Sequence, residues 1–364
     1  MIEKGVLMKK KIVLAFDSFK GCISAQQACR AACQGILSLA PDAEVVMMPL
    51  SDGGEGLVLC LAPILGLREI VFQAHDPLMR PIEAVYAVDS RSQTAYMEMA
   101  STSGLTRLTV SERNPLKATT YGVGEMIADA LRRRCRHIVM GIGGSATCDG
   151  GQGMLEALER HPSLMAALGR DCDITVACDV TNPLYGPDGA AYVFAPQKGA
   201  SPAEVRILDE RLCRWAALTE RRGMAVHADA FCPGAGAAGG LGYALMTYLH
   251  ARLMRGIDIV LDAIRFDDVL QGADLVITGE GKSDAQTLMG KVPSGVLTRA
   301  SRADVPVLLL SGGIDGAAAL LDAGFKDARS VNEGDLRPLD QLMQPQVACC
   351  NIEKTVRKIL NQYI

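Results

Sequence analysis

The residues of this chain that could carry chemistry are carboxylates and lysines set among glycines. Five short apolar runs each empty into a loop of that kind, at Asp17, at Asp52, at Asp149, at Glu280 with Asp284, and at Asp315. In an open parallel sheet such loops project from one edge, and ligands bind there where the strand order reverses. Carboxylates gathered at one place need a counter-charge, which Mg²⁺ bridging phosphate oxygens supplies. Lys20, Lys198 and Lys291 suit phosphate as point charges. The combination fits phosphoryl transfer. A single aspartate in a loop is more often a turn former or a helix cap, so the reading rests on how many loops share the pattern.

The fullest example is Ile138 to Gly151, IVMGIGGSATCDGG. Its apolar start suits a strand buried on both faces, and its glycines let backbone N–H groups turn towards an anion. Ser145, Thr147 and Asp149 add two hydroxyls and a metal-competent carboxylate. Helical spacing follows through Met154, Leu155, Ala157 and Leu158, which sets the loop at a helix N-terminus, where the dipole favours phosphate. The pairs Gly53-Gly54 and Gly143-Gly144 are therefore read as phosphate-binding, although either pair could serve as turn residues alone.

The elements that must position these loops alternate at first. Ile12 to Phe16 reads as a buried strand. Ser24 with Gln27 forms a capping box before Ala25, Ala28, Ala32, Ile36 and Leu39 at helical spacing. A strand at Val45 to Met48 and a short apolar helix at Leu57 to Leu65 complete a β-α-β-α opening, which signals a parallel sheet. From about Arg68 to Ala100 three strand-like runs follow without a helix, as in an antiparallel piece. Helical spacing returns at Val123 to Leu131. Residues 171 to 265 are again mixed: the runs ITVACDV and AYVFAPQ, a helix around Val205 to Leu218, the glycine cluster Gly234 to Gly242, and a helix from Tyr243 to Met254. The parallel pattern resumes with LVIT at 275 and VLLL at 307, and a last helix carries Ile352, Val356, Ile359, Leu360 and Tyr363 on one face.

Composition narrows the partners. At 364 residues the chain is long enough for two domains. A net charge of -4 gives no electrostatic reason to expect nucleic acid. No segment is long and apolar enough to span a membrane, and the run after Lys9, Lys10 and Lys11 is too short for a signal peptide. The leading MIEKGVL, just ahead of Met8, reads as an alternative start or a frayed extension. The 12 cysteines are scattered without C-x-x-C, which suits reduced thiols in a cytoplasmic protein. The five histidines lie far apart and offer no zinc spacing. G-x-x-x-x-G-K-[ST] is absent. GIGGSA at Gly141 and GAGAAG at Gly234 formally fit the dinucleotide fingerprint, but each is weak alone, and a dehydrogenase is the minority reading.

With the loops assembled, the sequence resembles the type I glycerate kinase family from Lys11 to the last helix. The matching stretches are DSFKG at 17, DGGEG at 52, EMASTSGL at 98, TTYGVGE at 119, and GIGGSAT with DGG from 141 to 151. They continue as CDVTNPLYG at 178, FAPQKGA at 194, GAGAAGGLG at 234, ITGEG with Asp284, Gln286 and Thr287, and Gly290-Lys291. Cys22, Ser51 and Cys148 stand where the family pattern has serine, alanine and asparagine, and the stretch from 159 to 173 is shorter than usual.

The resemblance implies an α/β protein of two domains: a three-layer α/β/α domain with a parallel sheet, and a second, mixed α/β domain inserted into it. With the interruptions read at 68 and 171, the first takes residues 1–67, 116–168 and 266–364, and the second 68–115 and 169–265. The implied activity is transfer of the ATP γ-phosphate to D-glycerate with Mg²⁺, at the 2-hydroxyl. The 3-position, a related hydroxy acid, and an inactive binder of small anions stay open as alternatives, as does assembly into homo-oligomers. On this reading Asp179 or Asp52 handles the hydroxyl proton and Lys20 the transferring phosphate. Gly53, Gly54, Gly143, Gly144, Ser145, Thr147 and Lys291 bind nucleotide. Asp17, Ser18, Lys198 and Asn182 bind substrate, and Asp149, Glu280 and Asp284 hold the metal.

Overall fold

A computed structural model describes residues 10–51, 56–166, 168–221, 229–360 and 362. The leading MIEKGVL, Asp52, Gly53, Gly54 and Tyr363 lie outside the described residues. Strands run β1 (Lys11–Phe16), β2 (Glu44–Met47), β3 (Arg68–His75), β4 (Pro81–Asp89), β5 (Thr94–Glu98), β6 (His137–Gly141) and β7 (Asp173–Ala177). After these come β8 (Arg252–Met254), β9 (Leu275–Gly279), β10 (Lys282–Ser283), β11 (Val307–Ser311), β12 (Gly313–Ile314) and β13 (Asp327–Ser330). The chain divides into two compact units, residues 1–52 with 260–364, and residues 53–259.

The unit built from both chain ends holds a five-stranded, wholly parallel sheet in the order β13-β11-β9-β1-β2. Renumbered within the unit this is the doubly wound order 2-1-3-4-5, whose direction reverses between β1 and β9. β1, β9 and β11 are buried on both faces because helices cover both. On one face Ile12, Leu14, Leu275, Ile277, Leu308 and Leu310 pack against Ala28, Ala32 and Ile36 of helix Ala25–Leu39 and against Ile352 and Val356 of helix Pro345–Leu360. Helix Val292–Arg302 lies against β1, β9 and β11 and completes the three layers. The capping box is present: Ser24 Oγ accepts from Gln27 N at 3.2 Å, and Gln27 Oε1 accepts from Ser24 N at 2.9 Å.

The other unit holds a six-stranded mixed sheet, β3-β4-β5-β6-β7-β8, antiparallel from β3 to β5 and parallel from β5 to β8. Residues 116–168, placed with the parallel sheet on the return of helical spacing, lie instead in this mixed unit. β6 pairs with β5 and β7 in continuous register, Glu98 with Gly141 and Gly141 with Ala177. Strand-then-helix patterning reports that a strand will be parallel, but the partner is chosen by long-range backbone pairing that leaves no local trace. The correction carries a second one. The five loops do not share one sheet edge, because Asp149 follows a strand of the mixed sheet while Asp17, Glu280 and Asp315 belong to the parallel unit.

Two local readings also shift. The AYVFAPQ run folds as helix Ala190–Phe194 and a 3₁₀ turn, Pro196–Lys198, with Ala190, Ala191 and Ala195 fully buried. A short apolar run cannot be told apart as strand or helix by its period. The helix expected to reach Met254 stops at Leu249, where His250 takes left-handed backbone at φ 54°, and Arg252–Met254 becomes the edge strand β8.

Candidate active site

A cavity of about 480 Å³ opens on the C-terminal edge of the parallel sheet, at the reversal between β1 and β9. Asp17, Ser18 and Lys20 reach it from the end of β1, Glu280 from the end of β9, and Lys291 from the N-cap of helix Val292–Arg302. Glu280 is buried yet anchored. Its Oε1 accepts from Thr287 Oγ1 at 2.6 Å and from Ser283 Oγ at 3.1 Å, while its Oε2 lies 3.7 Å from Lys291 Nζ. The hydroxyls desolvate and fix one oxygen, which leaves the other to meet a cation. Asp17 accepts from Ser18 N at 2.6 Å and is also buried. Asp284 is not part of the cavity wall. Its side chain caps the 3₁₀ turn Ala285–Met289, accepting from Gln286 N at 2.9 Å, and its own N–H donates to Thr287 Oγ1 at 3.0 Å. It braces the residue that braces Glu280.

The remaining expected residues among those described lie in the mixed unit. Lys198 is buried, 2% exposed, with Nζ donating to Ser145 Oγ at 2.6 Å and to Thr147 O at 2.7 Å. Burial pulls its pKa down to about 8, with Cys148 and Asp149 opposing the shift. An ammonium has donors only, so Ser145 Oγ accepts from Lys198 and the serine proton is left to point elsewhere. Lys198 thus orients the glycine loop and its hydroxyl. Thr147 Oγ1 is buried without a hydrogen-bond partner.

Asp149, expected as a metal ligand, is engaged by four backbone and side-chain donors. Its Oδ2 accepts from Thr120 N and Thr120 Oγ1, both at 2.8 Å, and from Gly153 N at 3.2 Å; its Oδ1 accepts from Gly151 N at 3.1 Å. The carboxylate ties the start of helix Gln152–Glu159 to the start of helix Tyr121–Arg132. Cys148 is buried in an apolar cluster with Leu184, Leu212 and Tyr243, and burial pushes its thiol up to about 11. It packs as a small hydrophobe, so its departure from the family's asparagine falls on the cluster side of the loop. Asp179 accepts from Gly256 N at 3.1 Å, and Asn182 Nδ2 donates to Asp188 O at 2.8 Å.

The second glycine run has a packing role that its resemblance to a dinucleotide fingerprint hides. Ala238, Gly239 and Gly240 have left-handed backbone, and Gly239 O accepts from Gly150 N at 3.0 Å. A Cβ on Gly239 would lie 2.0 Å from Thr147 O. The run backs the 147–150 loop at backbone-to-backbone distance, which only glycine permits. Sequence reasoning missed Thr120, Ser283 and Thr287 as supports. Ser283 and Thr287 follow Glu280 within the same loop and could have been found there, whereas Thr120 is far from Asp149 in sequence and leaves no local signal of the pairing. All 12 cysteines are free, and no helix among the described residues is long and apolar enough to cross a membrane.

A doubly wound unit with lysines and carboxylates around a cavity at its switch point, on a chain that also holds a lysine-braced glycine loop, defines a small-molecule phosphotransferase. The glycerate kinase family model matches residues 12–163 and 159–363. Glycerate kinase of Bacillus subtilis (strain 168) is 41% identical over 96% of this chain and 96% of its own length. Glycerate 2-kinase of Escherichia coli (strain K12) is 40% identical over 84% of this chain and 85% of its own. The crystal structure of a Salmonella typhimurium LT2 protein assigned provisionally as glycerate kinase 2 superposes with a TM-score of 0.80 at 38% identity, covering 97% of this chain and 98% of that one. The chain belongs to the glycerate kinase family, and it is an ATP-dependent kinase with an alcohol acceptor.

Proposed function

We propose that the chain transfers the γ-phosphate of ATP to the 2-hydroxyl of D-glycerate, giving 2-phosphoglycerate and ADP. The observation that carries the reading is the cavity at the β1/β9 reversal, where Lys20 and Lys291 stand beside two buried carboxylates, Asp17 and Glu280. In this reading the lysines take the phosphate oxygens as they gain charge, and electrostatics with positioning supply most of the rate. The hydroxyl oxygen forms the new bond to Pγ, the bond from Pγ to the β,γ-bridging oxygen breaks, and the hydroxyl proton passes to a carboxylate. Asp179 and Asp52 are the candidates for that base. The 2-hydroxyl is favoured by the name of the Escherichia coli relative, a 2-kinase.

The donor set at the cavity fits Mg²⁺, which takes one or two carboxylates and completes its shell with water and substrate phosphates. Glu280, through the oxygen not held by Ser283 and Thr287, and Asp17 would hold it; when bound it supplies charge neutralisation across the β- and γ-phosphates. Asp284 and Asp149 are left out of this set by the hydrogen bonds described above.

The test is turnover of D-glycerate with ATP and Mg²⁺, the product read by ³¹P NMR. A phosphate on the 2-oxygen couples to one carbinol proton and one on the 3-oxygen to two. A doublet supports the assignment. A triplet moves the reaction to the 3-position, and folded protein that yields no phosphorylated product overturns the kinase reading.

A further inference from the structure

The mixed sheet closes on β3, the longest open edge of the two large sheets. It runs for 8 residues, against 4 in β2, 4 in β13 and 3 in β8, the other strands that end a sheet. Its register with β4 is unbroken from Arg68 with Val88 to His75 with Pro81, and it contains no proline, lysine or bulge. Those are the devices that commonly keep an edge from pairing with another chain.

Two hydrogen bonds tell which backbone groups face outward. Asp76 N donates to Arg80 O at 2.9 Å, a rung of the β3–β4 ladder, whereas His75 N turns away from β4 and donates to Glu125 Oε2 at 2.8 Å. Narrow and wide pairs alternate along an antiparallel ladder. Even-numbered residues of β3 therefore bond β4, and the N–H and C=O groups of Glu69, Val71 and Gln73 point out of the sheet. Among the described residues nothing bonds to these backbone groups. The side chains beside them are apolar at the centre: Val71 and its cross-strand partner Val85 are 57% and 39% exposed. A stripe of valine runs to an open edge.

A second copy of the chain complements that edge in one register. With a two-fold axis at Val71, each copy's Glu69 faces the other's Gln73, carboxylate to amide, and valine faces valine. All three outward residues then meet in narrow pairs, each exchanging both of its bonds. Shifting the axis by one residue brings in Leu67 N or His75 N, which Ala62 O and Glu125 already hold. We propose that the chain forms a two-fold dimer in which β3 pairs antiparallel with β3 of a second copy about Val71, joining two six-stranded sheets into one.

A contact of this kind buries less than a standard interface of about 1,600 Å², so the dimer should dissociate on dilution, with a Kd roughly in the micromolar range. Sedimentation velocity of the full chain from about 1 to 200 µM tests association at that affinity, and hydrogen exchange of the peptide covering 68–75 tests the surface. Val71→Pro removes one outward N–H and no rung of the β4 ladder, and Val71→Lys sets two ammonium groups face to face. The wild type should sediment as a dimer at the high end, with exchange in 68–75 slowing as concentration rises. Both variants should keep the wild-type circular dichroism, weaken association about tenfold or more, and lose the concentration-dependent protection. A wild type that stays monomeric throughout overturns the proposal. So does a dimer that survives both variants, or one in which 68–75 exchanges as fast as in dilute protein.

Discussion

At the scale of single residues, Lys198 and Asp149 are each tied by hydrogen bonds into the frame around the glycine loop. Lys198 carries a testable pH signature. Its folded pKa is near 8 against an ordinary 10.5, so between those values the unfolded chain holds a proton that the folded chain has released. Stability from this group is therefore flat below about pH 8 and rises with pH above it. Urea unfolding at pH 7 and pH 9.5 should show that rise in the wild type and lose it in Lys198→Met; parallel pH profiles would contradict it. Asp149→Ala removes four hydrogen bonds shorter than 3.3 Å at two helix starts. It should cost about 2–4 kcal/mol, read as a lower urea midpoint at constant slope. Asp149→Asn keeps the shape and should recover part of the loss.

At the scale of elements, two close approaches fix how the loops are backed. Gly239→Ala would press a Cβ to 2.0 Å from Thr147 O, at a backbone φ of 70°. The loop carrying Ser145 and Thr147 must then move, and we expect a destabilisation of at least about 2 kcal/mol. The same substitution at Gly272, also at positive φ (70°) but with open space around it, should cost about 1 kcal/mol, from the backbone alone. Thermal unfolding of the two variants side by side separates clash from conformation. Gly279→Ala applies the idea to β9, where a Cβ would stand 1.7 Å from Leu310 O on β11. That change should disturb the strand end that presents Glu280, and so lower ADP affinity as well as stability.

At the scale of the whole molecule, the unit that bears the cavity is assembled from the two ends of the chain. Helix Pro345–Leu360 buries Ile352, Val356, Ile359 and Leu360 in the cluster that also covers β1. At about 1.5–3 kcal/mol for each buried aliphatic side chain, the four together match the whole stability of an ordinary domain, about 5–15 kcal/mol. A chain cut after Gln344 should therefore fail to fold its parallel unit, seen as lost far-UV ellipticity and rapid proteolysis of residues 10 to 51. Retained ADP binding by that shortened chain would show that the helix is dispensable.

The sequence by itself determined the elements and much of the chemistry. Ser24 and Gln27 announced a helix start, IVLAF, LVIT and VLLL announced buried parallel strands, and the ordered motifs announced the family. These are local signals, written in neighbouring side chains. Which loops share an edge was decided only in three dimensions. IVMG looks like the strands of the parallel sheet, yet it pairs with β5 and β7, because backbone hydrogen bonds carry no record of their partner in the side chains. Asp149, expected as a metal ligand, also holds two helix starts in the fold, and GAGAAG, a weak match to the dinucleotide fingerprint, backs the 147–150 loop; both contacts are made across the fold and leave no local trace. That Asp17, Lys20 and Glu280 follow buried strands was legible in the sequence; that those strands are neighbours at the reversal of the sheet was settled by the fold. The apolar part of the cavity wall was not legible, since Leu339 and Met343 join it only when the segment after β13 is folded against the turn after β1.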